Sequence, residues 1–177
     1  MTSLITGILE YARGSQDLLD AERLEVSRLV DAAALGHSQS LGELGGTLHV
    51  DAPHAIRADP DLLVVVCSNL IENSIKYRRP DVPPRIAVTS ERTDGATVVR
   101  FSDNGIGIDP EFHEAVFSMF RRLHRHDVIR GNGIGLGFCR RIIERHGGTI
   151  ALDSTPGEGT VVTFSIPDVA SPASLPG

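Results

Sequence analysis

The sequence predicts an α+β fold, a two-layer α/β sandwich in which a mixed, mostly antiparallel sheet of about five strands carries three helices on one face. Three observations predict it. β-branched residues alternate with polar ones on both sides of Thr93-Asp94-Gly95, an apolar run of helical period spans Pro60 to Tyr77, and a second amphipathic run starts near Leu136 and stops at Gly147-Gly148.

In chain order, residues 4–34 carry Leu4, Ile5, Ile8, Leu9, Leu18, Leu19, Val26, Leu29 and Val30 with an interruption at Gly14-Ser15, which predicts two helical pieces. The first, ending near Tyr11 to Arg13, is too short to stand alone and reads as the tail of a longer helix. Residues 36–46 hold four glycines and predict a loop, followed by a short strand at Thr47 to Asp51. Asp59-Pro60 then marks a helix start, because Asp caps free amides and Pro fits the first helical position; Pro80, Pro83 and Pro84 stop the helix after Tyr77.

Residues 85–91 and 96–102 predict a β-hairpin. Loop and short helix follow to about Leu123, and residues 124–135 are polar and glycine-rich without periodicity, as expected of a mobile segment. In the next helix Leu136, Cys139, Ile142, Ile143 and His146 share one face, with Arg140, Arg141, Glu144 and Arg145 opposite. Residues 149–153 and 160–166 make a last strand pair around Pro156-Gly157-Glu158-Gly159, and the Pro, Ala and Ser tail beyond Pro167 is expected to be disordered.

At 177 residues the chain suits one domain with flanking segments. No apolar run approaches the ~20 residues that cross a bilayer, and Met1 to Glu10 lacks the pattern of an export signal, so a cytoplasmic location is expected. Cys67 and Cys139 lie in apolar helical patterns and read as buried free thiols. A net charge of −6 argues against a nucleic-acid surface, although Arg121, Arg122, Arg125 and Arg130 crowd one stretch beside the glycine-rich segment.

Three groups carry candidate chemistry. Asn69, Glu72, Asn73 and Lys76, spaced by three and four residues, project from one helix face; they suit a solvent face or a metal-phosphate group, since an Asn oxygen is a hard ligand and Lys neutralises phosphate. Asp103-Asn104-Gly105-Ile106-Gly107 follows a strand directly. It is either a plain turn or a carboxylate placed to accept from an exocyclic amine. Gly131-Asn132-Gly133-Ile134-Gly135-Leu136-Gly137 opens a helix whose exposed amides and dipole favour an anion.

Together these strings resemble one family. Residues 69–77 look like the N box of sensor histidine kinases, Asp103 to Gly107 their G1 box, Phe117-Ser118-Met119-Phe120 their F box, Gly131 to Gly137 their G2 box, and Gly157-Glu158-Gly159-Thr160 their final glycine turn. The resemblance spans roughly residues 45–167, and Arg121-Arg122-Leu123-His124 leans toward kinases found with phytochrome-like sensors. It implies the Bergerat ATP-binding fold with ATP and Mg2+ as cofactors. Asp103 would contact adenine, Asn73 would hold magnesium, Asn69 and Lys76 would lie near the phosphates, and Tyr77 would line the pocket.

By the same resemblance Gly105, Ile106, Gly107 and Ile108, the run Gly131, Gly133, Ile134, Gly135, Leu136 and Gly137, and Thr160 belong to the nucleotide site. Residues 121–135 would form a lid anchored by Phe117 and Phe120, with Arg130 and Arg125 rival γ-phosphate contacts. Glu72, beside the magnesium ligand, suits a general base or a structural role, so the catalytic set is Glu72, Asn73 and Lys76.

A complete kinase of this family carries its phosphoacceptor His on a helical hairpin before the ATP domain. Upstream of residue 45 the only histidine is His37, in a predicted loop with no adjacent acid, so the acceptor is expected outside this chain. The implied organisation is a remnant of the hairpin and linker at 1–35, the ATP-binding domain at 36–167 and a tail at 168–177. Expected partners are the missing hairpin and a response-regulator receiver domain, with no nucleic acid and no membrane contact; the piece alone would be a monomer and the full-length kinase a homodimer. Two other readings share the fold: an anti-sigma-type protein serine kinase and a non-catalytic docking module.

Overall fold

Residues 20–117 and 135–168 are described by the structure, a computed structural model. The chain enters through β1 (Glu22–Glu25) and α1 (Val26–Leu35), and a short helix α2 (Ser38–Glu43) follows. Next come β2 (Thr47–Asp51), β3 (Ala55–Ala58), α3 (Pro60–Lys76), β4 (Arg85–Thr93) and β5 (Ala96–Asp103). Two single 3-10 turns at Pro110–Phe112 and Ala115–Phe117 precede α4 (Gly135–Arg145), β6 (Thr149–Thr155) and β7 (Gly159–Pro167).

Five strands form one sheet in the order β2-β4-β5-β7-β6, parallel only between β2 and β4. The predicted fold class holds. Strand register then decides which residues face the helices. Val88 pairs with Phe101, Phe101 with Val162 and Ile150 with Phe164, so these apolar residues share a face that the helices bury. The next row toward the sheet's end joins Ile86, Asp103, Thr160 and Ser154 on that same face. A carboxylate and two hydroxyls therefore continue the core side of the sheet.

Helix α3 begins as its sequence requires: Asp59 Oδ1 accepts from the Leu62 amide at 3.1 Å, and Pro60 stands at the first helical position. It buries Leu63, Val66, Cys67, Leu70 and Ile71. Helix α4 buries Phe138, Cys139, Ile142 and Ile143 and ends where Gly147 turns at φ +73, with the Gly148 amide donating to Ile143 O at 3.0 Å. Cys67 and Cys139 are free and buried, and burial pushes the Cys67 thiol up to about 12.

Three expectations need correction. Residues 22–25, expected in a helix, form a strand, because β1 pairs antiparallel with β3 from Glu22 opposite Ala58 to Glu25 opposite Ala55. Residues 36–46, expected as a loop, contain α2, which Leu41 pins by its burial. The domain start expected at residue 36 also moves upstream. Val26, Leu29, Val30 and Ala33 of α1 are buried in the common core, and the Val26 and Ser27 amides donate to His54 O and Ala52 O. The packed unit thus includes residues from Glu22 on. Strand β3, too short at four residues to leave a sequence signal, was not anticipated.

Residues 4–13, the glycines at 131 and 133, Ile134, Phe120, Arg125, Arg130 and the tail from 169 lie outside the described residues.

Candidate nucleotide site

The sheet's end and two helices converge around Asp103. Val99 and Phe101 point inward, so the period of two sends the Asp103 side chain inward as well. Its Oδ1 accepts from the Gly105 amide at 2.8 Å and the Thr160 amide at 3.2 Å, and its Oδ2 faces Ser74 Oγ at 3.1 Å. Burial raises the Asp103 carboxyl above its ordinary value, against the opposing pull of the Gly105, Ser74 and Thr160 hydrogen bonds. Three donors hold a carboxylate that has room for about four. Among the described residues, one acceptor position on Oδ2 has no donor.

The loop after β5 lies close against its neighbours. A Cβ on Gly105 would stand 2.6 Å from Tyr77 O, and one on Gly107, whose φ is +70, would strike Thr155 O. The Ile106 amide donates to Tyr77 O at 2.9 Å, its carbonyl accepts from the Gly157 amide at 2.7 Å, and the Ile108 amide donates to Ser154 Oγ at 2.8 Å. The final glycine turn is thereby stitched to the Asp103 loop. Thr160 adds its hydroxyl, 2.9 Å from Ser154 Oγ.

Across this floor, α3 and α4 meet at Asn69, Asn73 and Gly135. A Cβ on Gly135 would lie 3.2 Å from Asn69 Oδ1 and 4.0 Å from Asn73 Nδ2, so a glycine here lets the start of α4 approach the α3 amides. Asn69 is buried and its Nδ2 donates to Val65 O at 2.9 Å; Asn73 and Lys76 are half-buried, and Glu72 is exposed. Lys76 Nζ stands 4.8 Å from the Tyr77 ring centroid. The α3 polar stripe thus runs from core to solvent.

Leu136 is half-buried against the core and Gly137 is buried in α4. Phe117 is buried, and the Arg140 guanidinium lies 4.1 Å from its ring centroid while pairing with Glu114 at 3.3 Å.

Among the described residues no cluster of three or more His, Cys, Asp or Glu is placed to hold a metal. A magnesium ion at Asn73 would take its remaining ligands from phosphate oxygens and water, which is how that ion is commonly held. The donor set fits on those terms.

Sequence reasoning assigned no individual role to Ser74, Ser154, Arg79 and Asn104. Ser74 had a signal, since it follows Leu63, Val66, Cys67 and Leu70 on the inward stripe of α3 and is a hydroxyl in an apolar row. Ser154 likewise continues the inward parity of Ile150 and Leu152. Arg79 and Asn104 act through backbone atoms, which residue type alone does not announce.

The family of histidine kinase-, DNA gyrase B- and HSP90-like ATPases matches residues 58–170, and the chain belongs to that family. Within it, the chain is an ATP-binding catalytic domain of the histidine kinase kind. It is 41% identical over 167 residues to the phytochrome-like protein Cph1 of Synechocystis sp., covering 94% of this chain and 22% of that protein. The chain therefore spans about a fifth of that relative's length.

Among solved structures, the catalytic domain of histidine kinase ThkA matches with a TM-score of 0.72 and 25% identity, over 84% of this chain and 96% of that one. ThkA has also been seen in complex with the response regulator TrrA, at TM-score 0.73 and 24% identity, over 94% of this chain and 48% of that one. Full-length ShkA in complex with AMPPNP matches with a TM-score of 0.77 and 22% identity, over 98% of this chain and 37% of that one. No described helix is long and apolar enough to cross a membrane.

Proposed function

We propose that this domain binds Mg·ATP and delivers its γ-phosphoryl group to a histidine on a helical hairpin outside this chain, from which an aspartate of a response regulator takes it. The observation that carries the reading is the inward carboxylate of Asp103, fixed by two amides and a hydroxyl with one acceptor position left. An exocyclic amine of adenine fills such a position; a guanine carbonyl there would face an acceptor.

Asn69 and Asn73, beside the glycine start of α4, and Lys76, one turn further along α3, are assigned to the phosphate end. There Lys76 offsets phosphate charge and the Asn73 oxygen is the protein ligand for magnesium, which supplies further positive charge when bound. Phosphoryl transfer depends mainly on such positioning and neutralisation, so the residues that bind also catalyse. Glu72, exposed beside Asn73, would act as general base toward an incoming imidazole or serve a structural role. In Gly131, Gly133 and Ile134 further amides, and in Arg125 or Arg130 a γ-phosphate contact, complete the assignment by family resemblance.

Gly107 and Ile108 shape the loop beside the base, and Tyr77 borders it. The ThkA complex with its regulator supports a receiver domain as the onward partner, and the AMPPNP complex of ShkA supports ATP as the nucleotide. The domain works in the cytoplasm, is a monomer by itself and pairs through the hairpin in the full-length kinase.

The test mixes this domain with a separately produced hairpin fragment and ATP labelled at the γ position. Acid-labile label on the hairpin is the expected result, and its absence at every concentration overturns the transfer. Acid-stable label on a partner serine would instead establish the serine kinase reading.

A further inference from the structure

The stretch between α3 and β4 does more than connect them. Arg79 Nε donates to Asn104 O at 2.9 Å and its Nη1 to Gly157 O at 3.3 Å, so one guanidinium joins two segments 53 residues apart, the Asp103 loop and the β6–β7 turn. Asn104 is gripped a second time, because its Oδ1 accepts from the Arg85 amide at 2.8 Å and its Nδ2 donates to Pro83 O at 3.1 Å. Residues 79–85 thus hold residue 104 by backbone and side chain together.

We propose that Arg79 is a positioning residue for base recognition, setting the Asp103 carboxylate through Asn104 on one side and through the Gly157 turn on the other. The proposal rests on the assignment of Asp103 to adenine. Each half has a short route to that carboxylate, one covalent and one through a hydrogen bond. Asn104 is the next residue, and Gly157 lies three residues before Thr160, whose amide is one of the two that orient Oδ1.

The work needs an arginine. Two carbonyls on separate segments require donors fanned in a plane, whereas an ammonium is a compact point that satisfies one site well. Two of its five N–H donors are spent on backbone oxygens of the site's floor, which is where Arg79 acts. Its neighbour Arg78 instead donates to Ile75 O, at the end of the preceding helix.

Because Asn69 and Asn73 face Gly135 at the start of α4, whereas Arg79 holds the Asn104 and Gly157 carbonyls, loss of Arg79 is expected to weaken adenine recognition and spare the phosphate end. Calorimetry in saturating magnesium would compare Arg79→Gln, Arg79→Lys and Asp103→Asn with the parent domain, using ADP as probe and inorganic pyrophosphate as competitor. Arg79→Gln should raise the ADP Kd about tenfold, a change of 1.4 kcal/mol, leave pyrophosphate competition unchanged and keep the unliganded melting temperature within a few degrees. Arg79→Lys should recover part of the affinity.

If Arg79→Gln binds ADP like the parent while Asp103→Asn does not, the brace has no role in recognition and the proposal fails with the adenine site intact. Equal weakening of ADP and pyrophosphate would make Arg79 a general structural residue and also overturn it. Parent-like ADP binding by Asp103→Asn would instead remove the adenine assignment itself. Should Arg79→Gln fail to fold, the ratio of ADP to pyrophosphate affinity in Arg79→Lys decides: a lowered ratio supports the brace, an unchanged one refutes it.

Discussion

Asp103 on the sheet and Ser74 on α3 meet across the helix–sheet interface, carboxylate Oδ2 to hydroxyl Oγ at 3.1 Å. The hydroxyl also lies 3.0 Å from Leu70 O and has a single hydrogen, so it divides its donation between helix and acid.

Asp103→Asn tests the recognition half of that geometry. The amide oxygen of Asn can still accept from Gly105 and Thr160, and its NH2 can donate to Ser74 Oγ, so the fold should persist. An adenine amine would then meet a donor, and ATP affinity should fall by about 1–3 kcal/mol, read by calorimetry. Because burial raises the Asp103 carboxyl, the folded state holds that proton more tightly than the unfolded one. Its contribution to stability is full in acid and declines as pH rises through the raised value. At neutral pH the urea midpoint of Asp103→Asn should therefore equal or exceed that of the parent.

Ser74→Ala should act in the opposite sense on the unliganded fold. It takes a donor from a partly buried carboxylate, and a loss of about 1–3 kcal/mol is expected at neutral pH. Combining it with Asp103→Asn should shrink that loss, a coupling measurable by a double-mutant cycle in urea.

Gly159→Ala is expected to damage both stability and binding. At φ +121 an added Cβ is strained, and it would strike Asp103 O. A cost of about 1–3 kcal/mol is expected from the backbone alone, with a larger total if the strand cannot shift. Denaturant melts with and without ATP separate the two effects.

His146 makes stability depend on pH. Its Nε2 accepts from the Asp59 amide at 3.0 Å and its Nδ1 donates to Ile142 O at 2.7 Å, which fixes a neutral ring. Burial holds its pKa below the ordinary 6.5, with the Arg145 charge adding to the fall and the Ile142 bond and Asp59 opposing it. The unfolded chain thus takes up a proton near pH 6.5 that the folded one refuses. Stability from this residue is full above that pH and declines as pH drops below it. Urea midpoints between about pH 5 and 8 should show the decline in the parent and a flatter profile in His146→Gln.

Asn73→Ala should abolish the dependence of nucleotide binding on magnesium. Calorimetry with and without EDTA should give different ATP affinities for the parent and matching ones for the variant.

Much of this was legible beforehand because local rules and the fold agree. Asp59-Pro60 announced α3, Thr93-Asp94-Gly95 announced the hairpin, and the helix ending at Gly147-Gly148 did so where glycine permits it. Residues 22–25 were misread because nothing in Glu-Arg-Leu-Glu favours a strand; its partner, β3, lies some thirty residues on and is itself only four residues long. Pairing across that distance supplies a preference that local composition lacks. In the site, the side chains proposed to meet a nucleotide were chosen by type and spacing, while Arg79 and Asn104 work on carbonyls and amides and so left no such mark.

The bond from Asp59 N to His146 Nε2 joins the first turn of one helix to the last of the other. At a rise of about 1.5 Å per residue, the opposite end of α4 lies some ten residues away, at Gly135 beside Asn69. With the far tip fastened in this way, geometry alone dictates that any change in the helix spacing would be largest at Gly135 and smallest at the apolar residues near His146.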